Sequence, residues 1–550
     1  MIGLMMNTPL TIGQILEHAV NIHGDKHVHT ILPNGKIHRY NYATLHKRVN
    51  QLSNATVSLG INQGDRIATF VSNTFQHLEL YFAIPNTSTI LHPLNVRLSA
   101  IQLEMIVKEA GNDIIFVDNV YADQFANLQD KIQFNHTILI NNTNQDINNK
   151  DSSLEYEQFI SEEDCNFSHD IQDENCAMAL CYTSGTDGEP KGVLYTHRAM
   201  YLHTLAVNHV DVFGLTESDV VMPLVPMYHA MAWGIPFAAM LSGAELVLHG
   251  SKQEQIVDLI CETGVTVAAG VPTVWKKHLP EMIRRKQEIN TLTQIIVGGE
   301  AMPISLIRDF EKELGIEVRH AWGMTEMSPT GTLCTPRKAH EKHSYEKKLE
   351  IKAMQGRPIP GVQIRLMNGT DNILPWDGIS VGELQVRSPW TVSSYYNTEP
   401  TLEHFTEDGW LRTGDLATIN SEGYIQIVDR MKSVIRSGGE SISSVALETY
   451  LMTHPQVKDS VVIGIPDEQW GERPLGVVVL ATKNNGDITE ILRQYLSNEF
   501  PKFWLPDKFV VVDELPKTGV GKTDKQKILR MIASRKHNTN GNDELNNTYD

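Results

Sequence analysis

The sequence predicts an α/β fold with a large N-terminal domain, 1–431, and a small α+β C-terminal domain, 432–536, and three observations support this. Up to about residue 430, short apolar runs alternate with helical patterns, which is the rhythm of mostly parallel sheets covered by helices. Residues 361–429 hold short alternating strands separated by turns. The block 433–535 follows the order helix, strand, strand, helix, strand and basic helix, which is typical of a small α+β domain.

Single elements stand out within this pattern. Pro303 suits the first position of a helix and Gly315 suits its end, so a helix is predicted between them. The charge-dense stretch 338–352 predicts an exposed helix or excursion. The last residues, 537–550, are polar and rich in Asn, and we expect a disordered tail. Clear strands are predicted at 65–72, 113–117, 176–182, 244–248 and 294–297.

The composition excludes several classes of function. Forty-seven Lys and Arg against sixty-six Asp and Glu give a formal net charge of −19, which argues against general binding to nucleic acid. Five scattered cysteines show neither a disulfide framework nor metal spacing and favour a reducing compartment. No apolar run reaches the ~18 residues of a membrane span, and the start of the sequence lacks the features of a secretory signal. We therefore expect a cytoplasmic enzyme.

The strongest motif is YTSGTDGEPKG at residues 182–192, directly after a predicted buried strand. Glycines let backbone N–H groups approach an anion, hydroxyls donate hydrogen bonds, and a lysine adds a mobile positive charge. The motif therefore predicts polyphosphate binding, although it is not the GxxxxGK(S/T) loop. The candidate phosphate-binding residues are Thr183, Ser184, Gly185, Thr186, Gly188 and Lys191.

Six further strings follow in order: VPMYHAMAW (225–233), VGGEAMP (297–303), HAWGMTEMSP (320–329), GWLRTGDLA (409–417), VDRMKSVIRSGGESIS (428–443) and PKTGVGKTDK (516–525). Together with the loop they resemble the adenylate-forming superfamily of acyl-CoA synthetases, carrier-loading adenylation domains and beetle luciferases. The similarity covers nearly the whole chain and is greatest to bacterial medium- and long-chain fatty acid–CoA ligases. It implies a distorted β-barrel-like part in the large domain, a mobile small domain, and ATP, Mg²⁺ and coenzyme A as ligands.

The resemblance assigns a nucleotide site. By it, Glu326 is the Mg²⁺ ligand, Thr325 contacts the α-phosphate, and Trp322 takes the place of an aromatic residue that stacks on adenine. A carboxylate is suited to ribose hydroxyls, and the resemblance gives this role to Asp415, assisted by Arg430. It also adds Thr183 to the metal site and extends the nucleotide contacts to Gly299, Glu300, His320 and Ala321.

Lys522 is the predicted catalytic residue. It lies in a Gly-flanked loop before a basic helix, where a lysine is mobile and cationic. A lysine between the attacking carboxylate and the α-phosphate would offset their repulsion and stabilise the transition state. The resemblance places the family's catalytic lysine at the same position. Lys525 and Lys527 are expected to be solvated surface lysines.

The resemblance also describes how the small domain meets coenzyme A. Lys432 occupies the hinge position between the domains, and Gly438 and Gly439 would let the small domain approach the pantetheine arm, with Arg436 beside them. Asp187 departs from the Thr or Ser usual in the phosphate loop. Its charge either weakens ATP binding or points outward without effect.

His229 and Trp233 mark the predicted acyl side. A lone His in an apolar stretch is more often a core residue, but in this family it lies beside the acyl carboxylate. In the bacterial long-chain members the Trp of this string gates an acyl tunnel. Residues 226–275 supply apolar and small side chains and no basic residue suited to a second carboxylate, so an apolar monocarboxylic acid is favoured.

The predicted function is ATP-dependent ligation of a medium- to long-chain fatty acid to coenzyme A through an acyl-adenylate, with release of AMP and pyrophosphate. Three alternatives stay open: a CoA ligase for a short, aryl or thioether acid, an acyl-AMP ligase that loads a carrier protein, and a catalytically lapsed relative that binds lipid or acts as a scaffold. No nucleic acid partner is expected. The resemblance implies a homodimer, and peripheral membrane contact stays open.

The role of Lys522 predicts a split between the two half-reactions. Lys522→Ala should abolish formation of the acyl-adenylate, yet largely spare thioester formation from supplied acyl-AMP, because only the first step needs the cation between two anions. Single-turnover assays of each half-reaction measure this, with Lys527→Ala as the control. An equal loss of both half-reactions with the fold intact would show that Lys522 has another role.

Overall fold

The protein is described from a computed structural model. The structure describes residues 3–142, 153–168, 171, 173–183, 190–369, 372–431, 433–437, 440–481, 488–517 and 523–537. The residues singled out from the sequence that lie outside these ranges are Ser184, Gly185, Thr186, Asp187, Gly188, Lys432, Gly438, Gly439 and Lys522.

The strands divide between a large N-terminal part and a smaller C-terminal part. In the N-terminal part they are β1 (His27–Ile31), β2 (Ile37–Asn41), β3 (Arg66–Phe70), β4 (Ile90–Pro93), β5 (Ile114–Asp118), β6 (His136–Ile140), β7 (Ser153–Glu155), β8 (Ala177–Tyr182), β9 (Gly192–Thr196), β10 (Val220–Pro223), β11 (Glu245–Leu248), β12 (Val267–Gly270), β13 (Gln294–Val297), β14 (Glu317–Gly323), β15 (Thr330–Leu333), β16 (Arg357–Pro358), β17 (Gln363–Asn368), β18 (Asn372–Ile373), β19 (Gly382–Arg387), β20 (Leu411–Ile419) and β21 (Ile425–Arg430). In the C-terminal part they are β22 (Ile435–Ser437), β23 (Glu440–Ile442), β24 (Val457–Asp467), β25 (Gly471–Leu480) and β26 (Lys508–Val511).

The helices follow the same division, with the last three in the C-terminal part. They are α1 (Ile12–His23), α2 (Tyr42–Ser58), α3 (Phe75–Asn86), α4 (Ala100–Ala110), α5 (Ala122–Gln129), α6 (Tyr156–Ser161), α7 (His197–Val207), α8 (Ile235–Ser242), α9 (Ile256–Thr263), α10 (Pro272–Arg284), α11 (Ile304–Asp309), α12 (Tyr345–Ala353), α13 (Ser444–Leu451), α14 (Ile488–Leu496) and α15 (Lys525–His537). Short helical turns lie at Asn119–Tyr121, Ala230–Gly234, Gln253–Gln255, Phe310–Leu314, Thr325–Met327, Lys338–Lys342 and Lys502–Trp504.

Two large sheets form most of the N-terminal part. One has nine strands in the order β16–β15–β14–β13–β12–β10–β11–β1–β2 and is parallel from β14 to β1. The other has seven strands in the order β7–β6–β5–β3–β4–β8–β9 and is parallel except for the pair β8 and β9. Because the carboxyl ends of parallel strands meet at one edge of a sheet, the loops after β12, β13 and β14 lie together.

Helices pack the two sheets into one core. A continuous hydrophobic cluster joins strands of both sheets through α1, α2, α3, α7 and α8. Every residue of α3 is buried, as expected of a helix that is surrounded by protein on all sides. The predicted mostly parallel α/β domain is therefore confirmed.

A third sheet lies between these sheets and the C-terminal part. Its five strands run antiparallel in the order β18–β17–β19–β20–β21, which agrees with the alternating pattern of residues 361–429. The expected barrel-like part is not a closed barrel in the described residues. The strands β18 and β21 stay at opposite edges, and β18 has only two residues with which to pair.

The C-terminal part has its own sheet with helices on both faces. The long hairpin of β24 and β25 is extended along the edge of β25 that faces away from β24, by β22 with β23 at the start of β25 and by β26, parallel to β25, further along. Successive residues of a strand face opposite sides. Accordingly Val461 and Ile463 pack with Ile528 of α15, whereas Val462 packs with Leu447 of α13.

The local predictions agree with most of these elements. All five predicted strands exist, within one or two residues of their expected ends. Pro303 precedes α11, and Gly315 ends the following helical turn with a φ of 71°. The charged stretch 338–352 forms a short turn and α12. Among the described helices none has the combination of length and apolarity that crossing a bilayer requires.

A buried carboxylate joins four elements of the N-terminal part. The Glu79 side chain on α3 is fully buried and accepts hydrogen bonds from the hydroxyls of Tyr40 and Tyr156 and from Arg48 Nε at 2.7 Å. Arg48 also pairs with Glu157, whose side chain is half exposed. Glu79 is thus the buried partner of Arg48, whereas Glu157 is its surface partner.

This difference predicts unequal losses of stability. Glu79→Gln should lower the free energy of unfolding by about 3 kcal/mol, because it removes the buried partner of an ion pair and leaves the partly buried Arg48 guanidinium only its exposed partner Glu157. Glu157→Gln should cost less than about 1 kcal/mol, as exposed ion pairs do. Urea unfolding followed by circular dichroism measures both losses. Equal losses would contradict the distinction between Glu79 as the buried partner of Arg48 and Glu157 as its surface partner.

Candidate active site

A cleft of about 2160 Å³ lies between the N-terminal and C-terminal parts and collects most of the predicted site. The loops after β8, β13 and β14 and the strands β20 and β21 all reach it. The predicted site residues that line it are Thr183, Lys191, His229, Trp233, Gly299, Glu300, His320, Ala321, Trp322, Thr325, Glu326, Asp415 and Arg430. Arg436 does not line the cleft and lies exposed on β22, where its backbone N–H donates to Glu472.

Two hydrogen bonds close the neck of the phosphate loop. The backbone N–H of Thr183 donates to the carbonyl of Lys191 at 2.9 Å, and the backbone N–H of Lys191 donates to the Thr183 hydroxyl at 3.0 Å. The antiparallel pair of β8 and β9 therefore holds both ends of the loop, which connects two strands of a hairpin. Among the described residues the Thr183 hydroxyl serves only as an acceptor, so within that part of the chain its proton is available to a ligand.

Asp415 lies at the centre of a three-residue arrangement. Its Oδ2 accepts from the indole N–H of Trp322 at 2.9 Å, and its Oδ1 is 2.8 Å from Arg430 Nε. Asp415 and Arg430 are direct partners in the ladder of β20 and β21, and Trp322 comes from β14. The carboxylate is buried, and it retains lone pairs beyond the two in use. The arrangement thus joins the nine-stranded sheet to the antiparallel sheet at the cleft.

Glu326 presents a buried carboxylate to the same cleft from the turn Thr325–Met327. Its Oε1 accepts from the hydroxyl of Tyr395 at 2.7 Å, and none of the described basic side chains forms an ion pair with it. The carbonyl of Thr325 accepts from the hydroxyl of Tyr195 at 2.6 Å, which fixes this turn. Burial raises the pKa of the Tyr395 hydroxyl, and the neighbouring Glu326 charge adds to the effect, so Tyr395 is the proton donor.

The site is suited to a metal ion that is held mainly by a ligand. In the described ranges no group of three or more His, Cys, Asp or Glu residues could hold a metal by itself. Mg²⁺ commonly binds through one or two carboxylates together with phosphate oxygens and water. The Glu326 carboxylate, which forms no ion pair with the described basic side chains and lines the same cleft as Thr183 and Lys191, fits that mode.

His320 lines the cleft, but its ring holds the surrounding backbone together. Its Nδ1 lies 2.9 Å from the carbonyl of Ala353, and its Nε2 lies 3.2 Å from that of Glu300. Burial lowers its pKa, so the ring is neutral and donates to one carbonyl. A proton on Nδ1 ties α12 to β14 through Ala353, and a proton on Nε2 ties the loop after β13 to β14 through Glu300. The side chain has a structural task at the position where a nucleotide contact was predicted.

The string around His229 forms a left-handed turn. Residues 230–233 have φ values between 43° and 59°, a conformation that costs about 1–2 kcal/mol per residue and that only tight packing maintains. His229 begins the turn, and the Trp233 ring is buried against Gly298 in the cleft wall. Gly234 is required, because a Cβ there would lie 2.8 Å from the buried ring of His203. His229 and Trp233 thus occupy one apolar wall of the cleft.

Lys525 is not the solvated surface lysine that we expected. Its ammonium pairs with Glu448 at 2.8 Å and donates to the Ser444 hydroxyl at 2.7 Å. Ser444 in turn donates from its backbone N–H to Asp429 at the end of β21. Lys527 is exposed, as predicted. The loop that contains Lys522 is therefore followed by a lysine that is anchored within the C-terminal part, on the serine that bonds Asp429.

Two residues that the sequence did not indicate lie beside the predicted ones. Besides contacting Glu326, Tyr395 has the ammonium of Lys191 above its ring, 4.9 Å from the centroid. His404 Nε2 lies 2.6 Å from Lys191 Nζ. Because these contacts join residues 69 to 213 positions apart, no local pattern could have shown them.

Solved structures share the fold over nearly the whole length. The anthranilate CoA ligase AuaEII in complex with anthranoyl-AMP superposes with a TM-score of 0.84 at 21% identity, covering 97% of this chain and 99% of that one. ATP-bound MatB from Rhodopseudomonas palustris gives a TM-score of 0.81 at 24% identity, covering 96% and 99%. The fold is thus that of adenylate-forming enzymes.

Curated relatives are similar over the same extent. A 3-methylmercaptopropionyl-CoA ligase from Ruegeria lacuscaerulensis is 38% identical over 96% of this chain and 98% of its own. A medium-chain-fatty-acid–CoA ligase from Ectopseudomonas oleovorans is 37% identical over 96% and 97%, and a long-chain-fatty-acid–CoA ligase from Thermus thermophilus is 40% identical over 94% and 95%. The profile described as AMP-binding enzyme matches residues 16–396, and that of the AMP-binding enzyme C-terminal domain matches 446–522. The chain belongs to the AMP-binding enzyme family.

The Asp415 arrangement predicts a specific loss of nucleotide affinity. Asp415→Asn would place an amide N–H against the donor of Trp322 or of Arg430 and remove the charge. Binding of ATP should weaken at least about tenfold, as expected when charge-assisted hydrogen bonds are lost.

Isothermal titration of the variant with ATP measures this effect. Asp408→Asn is the matched control, since Asp408 also pairs with an arginine, Arg365, but is exposed outside the cleft. Unchanged ATP affinity in Asp415→Asn would refute the role of the arrangement in nucleotide binding.

Proposed function

We propose that the protein is an AMP-forming acid–thiol ligase that joins a medium- to long-chain fatty acid to coenzyme A through an acyl-adenylate. The observation that carries the proposal is the convergence in one cleft of the Thr183–Lys191 loop neck, the Glu326 carboxylate and the Asp415 arrangement beside an apolar wall. The relatives named as CoA ligases support the same reaction.

Each group in the cleft has a task in binding ATP. The loop closed by Thr183 and Lys191 would hold the β- and γ-phosphates with its backbone N–H groups and the ammonium. Asp415 would accept hydrogen bonds from the ribose hydroxyls, and Trp322 would lie against adenine. Thr325, on a turn fixed through its own carbonyl, would contact the α-phosphate. The remaining predicted contacts would line the nucleotide site with their backbone. They are Gly299, Glu300, His320 and Ala321.

Mg²⁺ would be held by Glu326 with support from Thr183, and when bound it would neutralise charge on the phosphate oxygens. The acid's carboxylate oxygen forms a bond to the α-phosphorus, and the bond to pyrophosphate breaks. His229 at the start of the left-handed turn would orient that carboxylate, and Lys522 would stabilise the charge between the two anions. In the second step the thiol of coenzyme A attacks the acyl carbon and AMP leaves.

The second step would require the small domain to turn about Lys432. Gly438 and Gly439 would then approach the pantetheine arm, and Arg436, which now lies outside the cleft, would move with them. The contacts that hold the present arrangement include Lys276 of α10, which donates to the carbonyl of Lys458, and the bonds from Ser444 to Asp429. Polar contacts of this kind can break and re-form elsewhere, which is compatible with a hinge motion.

The apolar wall of the cleft that includes Trp233 is the basis for the proposed class of acid. Ala230 and Trp233 of the left-handed turn line the cleft with apolar side chains, which suit an alkyl chain. The relatives from Ectopseudomonas oleovorans and Thermus thermophilus support a medium- or long-chain acid. A short thioether acid is the second candidate, since the Ruegeria relative is named for 3-methylmercaptopropionate. Loading of a carrier protein instead of coenzyme A is a further alternative.

We also propose a cytoplasmic homodimer. The proposal rests on the resemblance to bacterial fatty acid–CoA ligases. Sedimentation velocity should give twice the monomer mass of 61.8 kDa, and a monomer at all concentrations would refute the dimer.

A panel of acids tests the substrate class. AMP release is measured with ATP, Mg²⁺ and coenzyme A across straight-chain acids from acetate to oleate. It should peak at the medium or long chains, because the proposed pocket is apolar. Trp233→Ala should broaden or shift the chain-length profile, and Trp376→Ala is its control, since Trp376 is an exposed tryptophan outside the cleft. Turnover only with thioether or aryl acids would keep the reaction and overturn the fatty acid.

A further inference from the structure

The phosphate-loop lysine and the candidate metal ligand face each other across one aromatic residue. Lys191 and Glu326 both line the cleft, yet they are not an ion pair among the described residues. Tyr395 lies between them, with its hydroxyl 2.7 Å from Glu326 Oε1 and its ring centroid 4.9 Å from Lys191 Nζ.

A second residue holds the lysine from the other side. Lys191 Nζ lies 2.6 Å from His404 Nε2, and since an ammonium can only donate, this imidazole nitrogen is the acceptor and the ring proton is on Nδ1. The rings of Tyr395 and His404 are in edge-to-face contact at 5.2 Å. The two rings therefore form one bracket around the ammonium.

The backbone fixes the position of the bracket. The N–H of Val392 donates to the carbonyl of Glu326 at 2.9 Å, and the N–H of Tyr396 donates to the carbonyl of Gly192 at 2.8 Å. The segment that contains Tyr395 is thus attached at one end to the turn of Glu326 and at the other to β9, directly after Lys191. Its length between these two anchors sets the separation of the two charged groups.

This separation has a chemical consequence. An ammonium and a carboxylate in a partly buried cleft attract each other strongly, and a direct pair must be broken before either group binds a ligand. Tyr395 gives the carboxylate a neutral hydrogen-bond donor, and the bracket gives the ammonium a π face and a neutral acceptor. Both charges are stabilised without cancelling each other.

We propose that Tyr395 and His404 are positioning residues that keep Lys191 free for polyphosphate and Glu326 free for the metal ion. Tyr395 acts on both groups, through its hydroxyl on Glu326 and through its ring on Lys191, whereas His404 acts on Lys191 alone. The proposal rests on the proposed function, because it assumes that the cleft binds a metal–nucleotide complex.

Equilibrium binding of ATP, without acid or coenzyme A, separates the two actions. Isothermal titration is done with ATP in EDTA and with ATP plus Mg²⁺, and the ratio of the two dissociation constants reports the metal's contribution. Tyr395→Phe keeps the ring and loses the hydroxyl, so that ratio should fall about tenfold, as expected for a lost hydrogen bond to a charged group, while binding in EDTA changes less than about twofold.

His404→Leu should give the opposite result. Binding of ATP in EDTA should weaken severalfold, the ratio should stay within about twofold, and His404→Gln should restore binding because its amide oxygen is again an acceptor. Tyr424→Phe is the control for loss of a buried tyrosine hydroxyl, since Tyr424 donates to the carbonyl of Thr335 outside the cleft.

The outcomes distinguish the bracket from the nucleotide function. If wild type binds ATP and both variants leave the two dissociation constants unchanged, or shift them in the same proportion, the positioning role is wrong. If wild type binds ATP in neither condition, the proposed function fails and the bracket fails with it.

Discussion

The carboxylate of Asp415 is the interaction on which the arrangement of the cleft depends. It receives the indole N–H of Trp322 from the nine-stranded sheet and pairs with Arg430 from its own antiparallel sheet. Because a buried carboxylate requires hydrogen-bond donors, the two sheets cannot shift against each other without breaking the bond from Trp322 to Asp415. One residue before Arg430, Asp429 receives the backbone N–H of Ser444 from the C-terminal part. The proposed nucleotide site, through Arg430, and the junction with the C-terminal part, through Asp429, thus share consecutive residues of β21.

Around this fixed point, the structure keeps opposite charges close together without letting them neutralise one another. Tyr395 separates Lys191 from Glu326, while the Thr183–Lys191 neck holds the phosphate loop to a rigid hairpin. Charged groups that are oriented before a ligand arrives need little reorganisation during the reaction. The apolar wall with Trp233 lies in the same cleft, so the proposed alkyl carboxylate and polyphosphate would be held side by side.

The sequence predicted what depends on local pattern and on recognisable strings. Period-two and βα patterns located the large sheets, and the strings located Glu326 and Asp415 in one cleft. It failed where a partner is distant: Lys525 resembled an exposed lysine because Glu448, its counter-charge, lies 77 positions earlier. Tyr395 has no motif of its own, since its task exists only once the chain has folded.

The central claim is that this cleft activates a carboxylate by transferring AMP to it before coenzyme A takes part. Exchange of labelled pyrophosphate into ATP, measured with a saturated fatty acid and Mg²⁺ but without coenzyme A, tests that claim most directly. If the acyl-adenylate forms before coenzyme A takes part, exchange should depend on the acid and should disappear when the acid is left out. Absence of exchange with every acid tried, in protein that still binds ATP, would contradict it.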